Sequence, residues 1–343
     1  MNRGNSIVRL LVAGLSMGGA LSAMPVVAHA DSTGGDLFYT TFDGADRVFE
    51  RSYSFDGSTL TYGLDTVISS IADGLGGADG LVFDPTDNNF LLVGGQNSSI
   101  YRVDIGTGAA TASSATTGLN YHLAITPDGS TVLGTNIPGT TVSAVSLTPF
   151  NSSVANLTIA GDDTVITGIA FDALGKAYYT TAGFEGTGGN FGTGTEAGGV
   201  ITTTRLLTGI DAHGISFDPL TGDLMLFGDN EVNQYHPGTG IIGTLTIGGA
   251  STQFDQGTVD GKGHLFVASN DGKMLFLDYS GSSNVSDGGN FSDLRFFRSH
   301  LDDVAPLTGL HVVPEPASMM LFGLGGLGAA FSRRRKFFSK VSA

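Results

Sequence analysis

Five stretches of this chain repeat one another, and their spacing limits the folds open to it. They are DGLVFDPTDNNFLLVGG, YHLAITPDGSTVLGTN, TGIAFDALGKAYYTTAG, HGISFDPLTGDLMLFGD and DQGTVDGKGHLFVASND. Each reads as a short apolar strand, a polar turn of Asp, Pro or Gly, and a second apolar strand. The turns open at Asp84, Thr126, Asp172, Asp218 and Asp260, which places successive repeats 42, 46, 46 and 42 residues apart. A β-solenoid coil uses much less chain, and a pair of β-sandwiches gives no reason for even spacing.

A period of this length, with two further strands after most pairs, is that of a four-stranded propeller blade. SSIYRVDI and AATASSATT supply the third and fourth strands of the first repeat, and GKMLFLDYS and DLRFFRSHL those of the fifth. The ends complete the count. GGDLFYTTFDG, DRVFERSYSFDG and STLTYGLDTV read as second, third and fourth strands without a first, while TGLHVV at 308–313 reads as a first strand without successors. Joined, they make a blade shared between the termini, which removes the exposed edges of an open ring. The fold class expected is therefore all-β, a six-bladed β-propeller closed between its N- and C-terminal strands. The 53 glycines among 343 residues suit its many tight turns.

Propellers carry function at the mouth of the central channel, where the first strand of each blade begins. Five residues before the turn-opening positions stand Asp79, Tyr121, Thr167, His213 and Asp255; one residue on stand Gly80, His122, Gly168, Gly214 and Gln256. Asp302 and Asp303 precede the expected closing strand and overhang the same mouth. Asp79, His122, His213 and Asp255 thus converge although they are far apart in sequence. Two imidazoles and two carboxylates suit Zn²⁺, while carboxylates with carbonyls and water suit Ca²⁺. A metal there can activate water, or a neutral His can act as general base. The same groups can equally do no more than solvate a water-filled channel.

Composition removes other options. The chain has no cysteine, hence no disulfide, thiolate-bound metal or thiol nucleophile. Between residues 31 and 312 nine basic residues face 31 acidic ones, a net charge of −22. Such a surface repels nucleic acid and anionic lipid. The segment GFEGTGGNFGTGTEAGG at 183–199 lacks the Lys-Ser/Thr of a phosphate loop and reads as a flexible glycine-rich loop, with Glu185 and Glu196 in reach of the channel mouth. Between residues 31 and 312 neither a Gly-x-Ser-x-Gly elbow nor a His-Glu-x-x-His helix is present.

The two ends carry addresses. Arg3 and Arg9 precede an apolar run that closes on Ala28 and Ala30, the pattern of a secretory signal peptide over residues 1–30 with Asp31 as the mature start. At the other end Val313-Pro314-Glu315-Pro316 leads into an apolar run, Ala317 to Phe331, and then Arg333-Arg334-Arg335-Lys336. As a helix the run would be about 22 Å long, a marginal span for a hydrocarbon core of roughly 30 Å. The charge after it holds residues 337–343 in the cytoplasm and the body outside.

Residues 313–336 resemble the PEP-CTERM sorting signal of Gram-negative bacteria, every part in order. The resemblance implies a membrane protease of the exosortase type as processing partner, and a protein exported to the cell envelope, cell surface or extracellular matrix. Carriers of the signal are commonly linked with extracellular polysaccharide, which would then be the body's partner. The repeats themselves resemble, generically, the NHL, lactonase and streptogramin-lyase propellers. Gluconolactonase-like members carry a metal-binding Asn and a later metal-binding Asp around the turn; here Tyr121 and Asn136 occupy those places. The residues therefore favour an exported binding or structural propeller, with a metal-dependent propeller lyase or hydrolase as the alternative.

Overall fold

The computed structural model describes residues 33–42, 47–71, 77–181, 188–247, 252–282, 284–287 and 291–306. The expected signal peptide, the stretch 308–313 and the sorting segment lie outside the described residues. Among those described, the secondary structure is β-strand apart from one 3-10 turn, Val285–Asp287, and no helix is long and apolar enough to cross a membrane.

Strands β1 (Thr33–Thr41) and β2 (Arg47–Phe55) pair antiparallel, and the outer edge of β2 is shared by β3 (Leu60–Tyr62) and β4 (Thr66–Ser70). A four-stranded meander follows, made of β5 (Leu81–Phe83), β6 (Phe90–Val93), β7 (Tyr101–Asp104) and β8 (Ala110–Ala112). Next come β9 (Leu123–Ile125), β10 (Thr131–Thr135), β11 (Thr141–Leu147) and β12 (Phe150–Gly161). After them come β13 (Gly168–Phe171), β14 (Ala177–Thr180), β15 (Gly189–Ala197) and β16 (Val200–Ile210). These two meanders are spliced at their outer edges, where β12 and β16 run parallel with Thr158–Gly161 beside Val200–Thr203. Two further meanders are β17 (Gly214–Asp218), β18 (Asp223–Gly228), β19 (Glu231–His236) and β20 (Gly240–Thr246), then β21 (Phe254–Val259), β22 (His264–Ser269), β23 (Lys273–Asp278) and β24 (Phe291–Phe296). The last strand, β25 (Leu301–Pro306), returns to pair antiparallel with β1, Leu37 opposite Pro306 and Tyr39 opposite Val304.

Closure between the two ends is thus present, but not by the strand expected from the sequence. Leu301–Pro306 makes it, and Asp302 and Asp303 lie inside that strand instead of preceding it. Two adjacent aspartates look like a loop; here both are buried, and Leu301, Val304 and Ala305 supply the apolar contacts of the strand. The stretch STLTYGLDTV is likewise two strands, β3 and β4, instead of one.

Burial follows strand position within each sheet. The second strands β18 and β22 are buried along their whole length. The outermost strands face water, β8 throughout. The reason is visible in the apolar clusters, each of which lies between two neighbouring sheets. Tyr39 and Phe49 of the first sheet meet Phe266 and Phe276 of the last, and Phe38 and Val48 meet Leu81 and Leu91. Leu92 meets Leu123, Leu133 meets Ile169, Tyr178 meets Ile215, and Met225 meets Leu265. The series returns to its start, so the sheets stand in a circle. Their innermost strands β5, β9, β13, β17, β21 and β25 surround a central cavity of about 190 Å³.

The repeated turn aspartates act locally. Asp84, Asp172, Asp218 and Asp260 each accept a hydrogen bond through Oδ1 from the backbone N–H two residues on, at 2.8–3.0 Å, which is how Asp closes such turns. At the Thr126 turn Asp128 takes over, accepting from Ser130 N and Thr126 Oγ1.

Residues 189–197 correct the reading of the glycine-rich segment as a loop: they form β15, between β14 and β16. Glycine serves close approach there, because a Cβ on Gly192 would lie 2.5 Å from the Tyr179 hydroxyl. Glu196 stands near the β15–β16 turn, past the pairing of Ala177 with Gly194, at the opposite end of the sheet from Thr167, and its Oε1 accepts from Gly199 N. Glu185 lies outside the described residues.

Close approach also explains glycines beside the channel. A Cβ on Gly214 would come within 2.2 Å of the Asp255 carbonyl and 2.4 Å of Gln256 Oε1 on the neighbouring innermost strand. Gly214→Ala should cost about 1–3 kcal/mol in urea unfolding. Wild-type stability would show that the two strands are not held that tightly.

Candidate functional site

The innermost strands all begin at one end of the ring, and the polar residues of their first positions meet there. His122 precedes β9, His213 precedes β17 and Asp255 lies in β21. Asp255 Oδ1 is 3.0 Å from His213 Nε2 and 3.5 Å from His122 Nε2, and the imidazole rings stand 5.0 Å apart, nearly perpendicular. Asp302 of β25 interacts with both Asp255 and Asp79. Asp303 accepts from Leu81 N through Oδ2 at 2.7 Å and from Val304 N through Oδ1. All six side chains are buried. The sequence-predicted set of Asp79, His122, His213 and Asp255 is therefore assembled in one place, joined by Asp302 and Asp303.

The electrostatics follow from burying four carboxyls beside two imidazoles. Burial disfavours the charge of Asp255, but His213 and His122 outweigh it and hold that carboxyl well below the usual range. Burial also opposes charging His122, yet Asp255, and after it Asp303 and Asp79, raise its pKa to about 9. Burial and then the Asp255 charge push Asp79 up to about 6. Burial raises Asp303 to about 8, and burial, then the charges of Asp79 and Asp255, hold Asp302 well above the carboxylate range. Removing charge from water is costly unless partners replace the lost hydration, which is why Asp79, Asp302 and Asp303 are all shifted toward the protonated form.

Hydroxyls fix the surrounding backbone. Thr167 Oγ1 and Thr180 Oγ1 both donate to the His213 carbonyl, at 2.7 and 2.8 Å. Thr135 Oγ1 accepts from His122 N, and Thr40 Oγ1 donates to the Asp79 carbonyl and accepts from Asp303 N. Sequence reasoning missed Thr40, Thr135 and Thr180. Their signal was available: each ends, or nearly ends, the second strand of its repeat, which returns to the same mouth. Tyr121 is half-exposed, and Asn136 accepts from Leu119 N and donates to Thr141 Oγ1, a local structural role.

Behind the last described strand, residues 312–336 match the family model for the PEP-CTERM protein-sorting motif. The chain carries this sorting motif. The motif implies exosortase-dependent export to the cell envelope or surface. No curated protein matches the sequence. Among solved structures the chain is similar to one in the crystal structure of a nidogen/laminin complex, with a TM-score of 0.58 and 15% identity over 79% of this chain and 97% of that one. It is also similar to TolB from Acinetobacter baumannii, with a TM-score of 0.54 and 18% identity over 79% of this chain and 67% of that one. At such identities the likeness establishes the all-β, propeller-like fold alone.

Proposed function

We propose that this chain is an exported, exosortase-processed protein whose body is a binding or structural module of the cell surface or extracellular matrix. On this reading residues 1–30 are a signal peptide removed after Ala30, residues 31–312 are the propeller, and Val313 to Lys336 are the sorting signal. The circle of sheets is read as six blades, the spliced pair counting as two and the closing strand belonging with β1. The observation that carries the reading is the sorting motif placed directly behind the strand that closes the ring, so that tail removal leaves the body intact. An acidic, cysteine-free surface suits a partner that is neither nucleic acid nor anionic lipid, and a neutral or cation-bridged envelope polysaccharide meets that description.

Convergence of His122, His213 and Asp255 favours a second reading, a metal-dependent lyase or hydrolase working at the central channel. The burial of all three favours the binding module, since a substrate has to reach the groups that attack it.

The full chain expressed in an exosortase-bearing host should appear at the surface or in the medium without its tail. In an exosortase-deleted strain, or with Pro314, Glu315 and Pro316 all replaced by alanine, it should accumulate in the membrane with the tail attached. Identical fractionation in all three cases would overturn the proposal.

A further inference from the structure

Three ligand-type atoms, one each from His122, His213 and Asp255, converge at the head of the channel. Asp255 Oδ1 lies close to the Nε2 atoms of both imidazoles, yet it has no aligned hydrogen-bond partner. His122 Nδ1, Asp79 Oδ2 and Asp302 Oδ2 are buried and also unpartnered. Buried polar atoms in native proteins are nearly always satisfied, and of these four orphans Asp255 Oδ1 is the one that lies close to both imidazole Nε2 atoms, so it marks the place of a missing occupant.

The spacing says what the occupant is. Bonds of about 2.0–2.1 Å to nitrogen and oxygen place neighbouring ligands of a tetrahedral Zn²⁺ about 3.3 Å apart. The observed separations of 3.0 and 3.5 Å straddle that edge, and one ligand atom from each of His122, His213 and Asp255 fits within a 4.8 Å span. Two imidazoles with a single carboxylate are a donor set for a borderline transition ion, whereas Ca²⁺ takes six to eight oxygens.

We propose that His122, His213 and Asp255 bind one divalent transition ion of the Zn²⁺ class, with Asp302 and Asp79 facing its remaining position. The ion then ties β9, β17 and β21, three innermost strands that no backbone ladder connects.

The test is titration of the chelator-treated full chain with Co²⁺, followed by visible absorption. One equivalent should bind with the intense bands of tetrahedral Co²⁺, be displaced by Zn²⁺ and not by Ca²⁺, and raise the melting temperature. His122→Gln and Asp255→Asn should each weaken binding by more than roughly 100-fold, beyond the loss typical of a merely supporting residue. Should either variant fail to fold, X-ray absorption of the zinc-loaded wild type reads the ligands directly, two imidazoles and oxygen being expected. No uptake, a weak octahedral spectrum, oxygen-only ligation, Ca²⁺ in place of Zn²⁺, or unchanged binding in both folded variants would each overturn the proposal.

Discussion

In chelator, a chain with Asp255 replaced by alanine unfolds at lower urea, having lost about 3–5 kcal/mol, the scale for removing one partner of a buried ion pair. Two imidazoles depend on this carboxylate, at 3.0 and 3.5 Å, and both are deeply buried. Without it, the charge that His122 holds in the native state loses its main support. The loss belongs to the pairing and not to packing if His213→Gln shows coupling. In the double variant the two losses should then fall short of additivity by about 0.5–3 kcal/mol. Strict additivity, or a loss below about 1 kcal/mol in the single variant, would mean that the remaining carboxyls substitute for Asp255 and that it is not the centre of the cluster.

The second large effect is on pH. In the metal-free chain Asp79 and Asp303 have folded-state pKa values of about 6 and 8 against an ordinary 3.8, and His122 about 9 against 6.5. A group whose pKa is raised by folding contributes stability that is complete below its unfolded pKa and is lost as pH climbs through the folded one. All three therefore act in the same direction, and the melting temperature should fall steadily from about pH 4 to pH 9. Asp255, held low, acts oppositely, but only as pH falls below the ordinary aspartate range. Asp303→Asn keeps an acceptor for Leu81 N and removes the titration, so it should flatten the decline between pH 4 and 8. A melting temperature that is flat, or rises, over this range would show that the carboxyls are hydrated and ionised in the folded chain.

The repeat made much of this legible before any coordinates. Because the period counts residues from each turn back to the head of each innermost strand, it placed Asp79, His122, His213 and Asp255 at one mouth, where they are found. The same count fails where the repeat is degraded. At the closing strand no Asp-Pro or Asp-Gly turn marks the register, and Asp302-Asp303 reads as polar loop although Asp302-Asp303-Val304 has the polar, polar, apolar order of Tyr121-His122-Leu123. Residues 189–197 were hidden for a different reason. Glycine there serves an aromatic neighbour, Tyr179, and local propensity carries no trace of a contact made across a sheet. The threonine hydroxyls at the ends of the second strands lay one strand away from where the count was made.

The pairing of β1 with β25 also sets an order in time. Thr33–Thr41 is among the first of the described residues to leave the ribosome, and Leu301–Pro306 is the last of them. From one event to the other, β1 presents an unpaired edge, the kind of template on which strands of other chains add. Any folded intermediate that stops short of about residue 306 therefore leaves that edge of β1 without its strand partner. A chaperone that shields one segment of this protein in transit would be expected to sit on residues 33–41 and to be displaced by the arrival of the final strand.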